Sequence, residues 1–153
     1  MIESPEIELA TRRDTRKLAQ RLAPHLSAGG LLVLTGPLGS GKTFFTRALC
    51  RALGLARGER VVSPTFTLVS EYDTSPPIAH ADLYRLKDAA EVSKLGLDAQ
   101  RDDGRLLVVE WGEPYVALLG GDALILELSL DPRRARLRAE GRASERALEA
   151  FCR

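Results

Sequence analysis

The sequence predicts a three-layer α/β domain with a mixed central sheet, and three observations carry that expectation. Leu31–Leu34 and Leu106–Val109 are short, unbroken apolar runs, the pattern of strands covered on both faces and paired in parallel. Segments with apolar residues at helical spacing lie between the strand segments, as crossover connections require. Near the C-terminus, two alternating stretches flank Asp131 and Pro132, which reads as an antiparallel hairpin and makes the sheet mixed.

Thr11 to Leu26 places Leu18, Leu22 and Leu26 four residues apart among charged residues. This predicts an amphipathic helix with Thr11 as N-cap and Pro24 interrupting the last turn. "SAGG" then breaks the chain before the strand "LLVLT". Lys42 to Leu55 sets Phe45, Ala48, Leu49 and Ala52 at helical spacing, with Gly54 near its close. Thr65 to Tyr72 is rich in β-branched and aromatic residues and predicts a strand, and "TSPP" turns it toward an antiparallel neighbour, Ile78 to Asp82. Asp88 to Leu97 predicts one short helix, the polar "DAQRDDG" a loop, and "RLLVVEW" a second buried strand with an acid at its end. "ALILELSL" and "RRARLRAEG" supply the hairpin, where alternation sends Arg134, Arg136 and Arg138 to one face as a solvated edge. Ser144 is expected to cap the final helix, "ERALEAF".

A chain of 153 residues fits one domain. Its 22 basic and 21 acidic residues leave a net charge of +1. No whole-molecule field draws nucleic acid, so any RNA connection runs through a local patch or a partner. Cys50 and Cys152 fall in predicted helices without metal-ligand spacing or a secretory signal, which predicts a reduced, cytoplasmic protein. The apolar runs fall far short of the ~20 residues that span a bilayer, so no membrane segment is expected.

The chemistry concentrates in "GPLGSGKTFF". Gly36, Gly41, Lys42 and Thr43 match a phosphate-binding loop in its proper context, after a strand and opening a helix. Glycines let successive amides turn inward, and the helix N-terminus adds a positive dipole end. Lys42 then supplies a cation for the β- and γ-phosphates, and the Thr43 hydroxyl can ligate Mg²⁺. Such a site needs an acid at a neighbouring strand end, and both Asp82 and Glu110 fit. Either can hold the ion or orient the attacking water, and the spacing leaves that division open.

ATP is favoured over GTP, because Ras-type GTPases read guanine with an Asn-Lys-x-Asp segment and this chain contains no asparagine. A small-molecule phosphotransferase is the rival reading. Its arginine-bearing lid would have to come from Leu86 to Arg105, which holds only Arg101 before its last residue. A nucleotide-binding regulatory module without hydrolysis is the third. His80 is expected to be a packed, hydrogen-bonded strand residue, since no second His or Cys stands at ligand spacing.

"GPLGSGKT", "SPTFTLVSEY", "HADLYRL", "EVSKLGL" and "VVEWGE", in this order, closely resemble the bacterial TsaE family, also called YjeE. Its members are small P-loop ATPases needed to make threonylcarbamoyladenosine in tRNA. The resemblance implies a P-loop NTPase-like fold with ATP and Mg²⁺ as cofactors. It implies an ATP site from Gly36 through Leu38, Gly39, Ser40, Gly41 and Lys42 to Thr43, extended to Phe44. Lys42 would be catalytic, Thr43 and Glu110 would hold Mg²⁺, and Asp82 would support the metal or the catalytic water. Thr65 occupies a switch-like position for sensing the γ-phosphate, against the plainer reading of a Ser63-Pro64 turn leading into a strand. Thr11 and Arg136 are the positions considered for the base pocket, and Trp111 and Tyr84 either shield the site or pack. The resemblance names TsaB and TsaD as partners, with tRNA reached through their complex. Pro37 departs from the family, which often has an acid there, and it removes one amide donor.

Overall fold

Leu31 and Val33 face one hydrophobic cluster while Leu32 and Leu34 face another, which is why this strand is apolar throughout rather than alternating. It is β3 (Leu31–Thr35), a central strand of a computed structural model that describes residues 1–153. The other strands are β1 (Ile2–Glu3), β2 (Ile7–Glu8), β4 (Val69–Tyr72), β5 (Ile78–Asp82), β6 (Leu106–Glu110), β7 (Ala123–Ser129) and β8 (Arg134–Glu140). They join one sheet in the order β1-β8-β7-β3-β6-β5-β4, with β2 also paired to β8. The four inner strands β7, β3, β6 and β5 run parallel, and the flanking pairs β7/β8 and β4/β5 run antiparallel. The sheet is mixed, as predicted.

Helices α1 (Arg12–Leu22), α2 (Lys42–Ala52) and α5 (Arg142–Phe151) cover one face through Leu18, Leu22, Phe45, Leu49, Leu148 and Phe151. The short helices α3 (Ala89–Ser93) and α4 (Leu97–Asp102) cover the other through Val92 and Leu97. These are the three predicted layers. Thr11 caps α1 in a reciprocal box with Asp14. Gly54, at φ 95°, closes α2 with the Leu55 amide bonded to the Cys50 carbonyl at 2.9 Å. No helix is long and apolar enough to cross a membrane.

Several local expectations need correction. The first helix ends at Leu22, and Pro24 lies in a separate 3₁₀ turn, Ala23–His25. Thr65 to Leu68 is a turn, closed by the Leu68 amide on the Pro64 carbonyl, and the strand begins only at Val69. Asp88 to Leu97 is not one helix: Gly96, at φ 71°, separates α3 from α4, which runs through the supposed loop. Ser144 lies inside α5 and does not cap it. Asp122 does so from outside the helix, accepting from the Ala143 and Ser144 amides and the Ser144 hydroxyl. The arginine-bearing strand β8 is not a bare edge, because β1 and β2 pair with it.

Candidate functional site

The parallel strands end together, and the loops after them surround a cavity of about 600 Å³. Ligands of open α/β sheets bind in this crevice beyond the carboxyl strand ends. β3 delivers the glycine loop to its floor. At Gly36, φ is 147° and an added Cβ would stand 2.5 Å from the Leu128 carbonyl oxygen and 2.7 Å from Ser40 Oγ. Only glycine allows the loop to leave the strand this close to β7. Gly39 and Gly41 also have positive φ, 78° and 103°, and Gly41 passes the chain into α2. The first amides of that helix have no intrahelical acceptor and are free for an anion.

Lys42 is 5% exposed, and its Nζ donates to the carbonyls of Gly36 at 2.6 Å and Pro37 at 3.1 Å. It also sits 4.4 Å from the centroid of the Trp111 ring, a distance at which an ammonium is held by the ring face. Burial pulls the Lys42 ammonium below its ordinary range, and the neighbouring Glu110 and Asp82 oppose that pull. Pro37 is exposed and turns its carbonyl toward Lys42, so the feature without an amide donor contributes an acceptor.

Asp82 and Glu110 stand side by side because β5 and β6 pair in parallel with these two residues in register. They are 6% and 4% exposed. Asp82 accepts from the Tyr84 amide at 2.9 Å and from Ser63 Oγ at 3.4 Å. Ser63 Oγ is in turn 2.9 Å from Thr65 Oγ1, so the turn carrying Thr65 is tied to the Asp82 carboxylate through hydroxyls. Glu110 Oε2 lies 2.7 Å from His80 Nε2. A carboxylate accepts, so Nε2 donates, and Nδ1 is buried without a partner. His80 is the hydrogen-bonded strand residue the sequence predicted, with Glu110 as its partner.

Of the predicted site residues, Thr11, Leu38, Gly39, Gly41, Lys42, Thr43, Phe44, Thr65, Asp82 and Glu110 line the cavity. Gly36 and Ser40 lie beneath the loop and shape it. Arg136 is not brought there. Its strand position directs it to Glu6, with the guanidinium at 3.7 Å. Arg133, at the hairpin turn, lines the cavity instead, with its guanidinium 3.6 Å from where a Cβ on Gly41 would be. Period-two alternation reveals strand faces and says nothing of a turn, so it could not single out Arg133. Trp111 packs against Tyr84 at a 5.0 Å centroid distance. The pair walls the cavity beside the two acids.

No three His, Cys, Asp or Glu side chains cluster as a metal cage. The site offers two carboxylates and one hydroxyl, a hard-oxygen donor set that suits Mg²⁺ completed by phosphate oxygens and water. A buried cation, free helix amides and glycines that admit close backbone approach suit a polyphosphate.

Comparison with known proteins agrees with this geometry. Residues 9–138 match the family model described as threonylcarbamoyl adenosine biosynthesis protein TsaE. The tRNA threonylcarbamoyladenosine biosynthesis protein TsaE of Streptomyces coelicolor is 44% identical over 117 residues, 74% of this chain and 77% of the relative. That of Rickettsia felis is 36% identical over 130 residues, 84% of this chain and 75% of the relative. The crystal structure of Bacillus subtilis YdiB superposes with a TM-score of 0.80 at 26% identity, covering 99% of this chain and 96% of the other. A family match that starts in the strap before α1, crosses the glycine loop and both acids, and ends in β8 makes this chain a member of the TsaE family, with a P-loop fold.

Proposed function

We propose that this protein binds MgATP, hydrolyses it, and uses the cycle as a switch on a TsaB–TsaD complex during threonylcarbamoyladenosine modification of tRNA. The observation that carries the reading is the meeting of Lys42 and Thr43 from the start of α2, Asp82 from the end of β5 and Glu110 from the end of β6 in one cavity. The family's role in the tRNA modification supports the purpose.

In this reading the triphosphate lies along the amides from Leu38 to Thr43, and Lys42 leaves the Gly36 and Pro37 carbonyls to meet the β- and γ-phosphates. Thr43 Oγ1 and Glu110 would hold Mg²⁺, which supplies neutralisation of phosphate charge. Asp82, held by the Tyr84 amide and Ser63, orients the attacking water or backs the metal. Thr65, linked to Asp82 through Ser63, registers the γ-phosphate, so its loss on hydrolysis releases the Ser63–Leu68 turn. Thr11 and Phe44 border the base and ribose end, where Arg12 stands 5.7 Å from the Phe44 ring.

Steady-state ATP hydrolysis, measured for the chain alone and with TsaB and TsaD, tests the proposal. Turnover that rises with the partners and falls at least 100-fold in Glu110→Gln is expected, since removing a charge-stabilising group costs on the order of 10²–10³ in rate. Full turnover by the isolated chain, unaffected by the partners, would sink the switch.

A further inference from the structure

The even overall charge conceals a segregation. Ten of the 22 basic residues but only two of the 21 acidic ones lie between Arg12 and Arg60. That segment contains α1 and α2, which pack against each other on one face of the sheet. Arg13, Arg16 and Lys17 are exposed on α1, and Arg57 and Arg60 are exposed on the loop after α2. None of these five makes a salt bridge; every ion pair lies elsewhere in the molecule. Arg51 donates to the carbonyls of Ala56 and Glu59 and so holds that loop in place. Arg13, Arg16 and Lys17, unpaired on the exposed face of a packed helix, form a fixed cationic surface, and Arg57 and Arg60 add unpaired cations on the braced loop.

We propose that this surface docks the phosphodiester backbone of RNA. The proposal rests on the reading that the chain serves tRNA modification. It adds that the chain touches RNA itself, through a local patch and not only through a partner complex. Four of the five cations are arginines, whose planar forks pair with phosphate oxygens bidentately. α1 spans about 16 Å, at 1.5 Å per residue, enough to meet several successive phosphates. The same helix begins at the nucleotide cavity with Thr11 and Arg12, while Arg13, Arg16 and Lys17 lie outside that lining. Nucleotide and RNA therefore meet different side chains of one helix and do not compete for any of them.

Fluorescence anisotropy of an end-labelled tRNA transcript, titrated with the full chain, tests this. With four phosphates neutralised, affinity should fall roughly 100-fold between 50 and 200 mM salt. Arg13→Gln/Arg16→Gln/Lys17→Gln should weaken binding at least tenfold and flatten the salt dependence, and Arg57→Gln/Arg60→Gln should act in the same direction. The α1 variant should keep the parent ATPase rate, and Lys42→Ala should keep the parent RNA affinity. Loss of nucleotide function therefore cannot be mistaken for loss of this surface. No tRNA binding at 50 mM salt, RNA affinity unmoved by either variant, or binding of a polyglutamate peptide as tight as that of tRNA would overturn the proposal.

Discussion

Replacing His80 with alanine removes the one side chain that hydrogen-bonds to Glu110. His80 is fully buried, its Nε2 is 2.7 Å from Glu110 Oε2, and Glu110 is only 4% exposed. The change leaves a buried carboxylate oxygen unpaired, which costs about 1–3 kcal/mol. The vacated imidazole volume adds to this, so we expect a total loss of about 2–4 kcal/mol. At about 2–4 °C per kcal/mol for a chain of this size, the melting temperature falls by roughly 10 °C. The carboxylate also loses the contact that fixes its orientation, and with Glu110 holding Mg²⁺ as proposed, the loss of a group that orients a metal ligand is worth about 10–100-fold in metal affinity. Thermal unfolding and Mg²⁺ titration of ATP hydrolysis measure the two effects separately. His80→Gln, whose amide can donate to Oε2, should recover part of the Mg²⁺ affinity even where the melting temperature stays low. A folded His80→Ala protein with the parent Mg²⁺ half-saturation would refute the positioning argument.

Gly36→Ala should cost roughly 2–4 kcal/mol in chemical denaturation and abolish ATP binding, because the methyl meets the Leu128 backbone 2.5 Å away at a φ of 147°. Trp111 is the only tryptophan in the chain and lies against Lys42 Nζ. ATP should therefore shift its emission as the lysine leaves the ring, and Lys42→Ala should remove the response. Burial would raise the Asp122 carboxyl, but hydrogen bonds from the Ser144 hydroxyl and the Ala143 and Ser144 amides, with Arg101 nearby, hold it below its ordinary range. Its folded value thus lies under its unfolded value of 3.8, so its stabilisation is complete above that pH and fades as pH falls through the folded value. Asp122→Ala should lose about 1 kcal/mol at neutral pH, as helix-cap removals do, and converge with the parent in strong acid.

The parts of the fold legible in the sequence are those in which local pattern and tertiary burial agree. Leu31–Leu34 is buried on both faces, and the glycine loop after it has a fixed chemistry, so β3, the loop and α2 follow from the residues alone. Strands β1 and β2 are two residues each and include Glu3 and Glu8. They exist because β8 presents amides and carbonyls to be paired, information that lies more than 120 residues away. Thr65 to Leu68 has the composition of a strand, yet the Thr65 hydroxyl pairs with Ser63, which in turn bonds Asp82, and Leu68 takes a φ of 67° to make the turn. The cap of α5 escaped notice for the same reason: Asp122 is far outside the helix that it terminates.

At the site, Asp82 and Glu110 could be identified as strand-end acids, but their adjacency comes from the β5/β6 register. The link between His80 and Glu110 depends on that same pairing. Arg133 and Arg136 have identical chemistry and differ only in whether they occupy the turn or the strand, which decides that one faces the cavity and the other Glu6.

The most direct test of the central claim is reconstitution of tRNA threonylcarbamoylation with TsaB, TsaD and the adenylate-forming enzyme, with and without this protein, followed over many turnovers. The account predicts one round of modification without it and sustained, ATP-consuming turnover with it, lost in Lys42→Ala. Sustained turnover in its absence, or undiminished turnover with Lys42→Ala, would contradict the account.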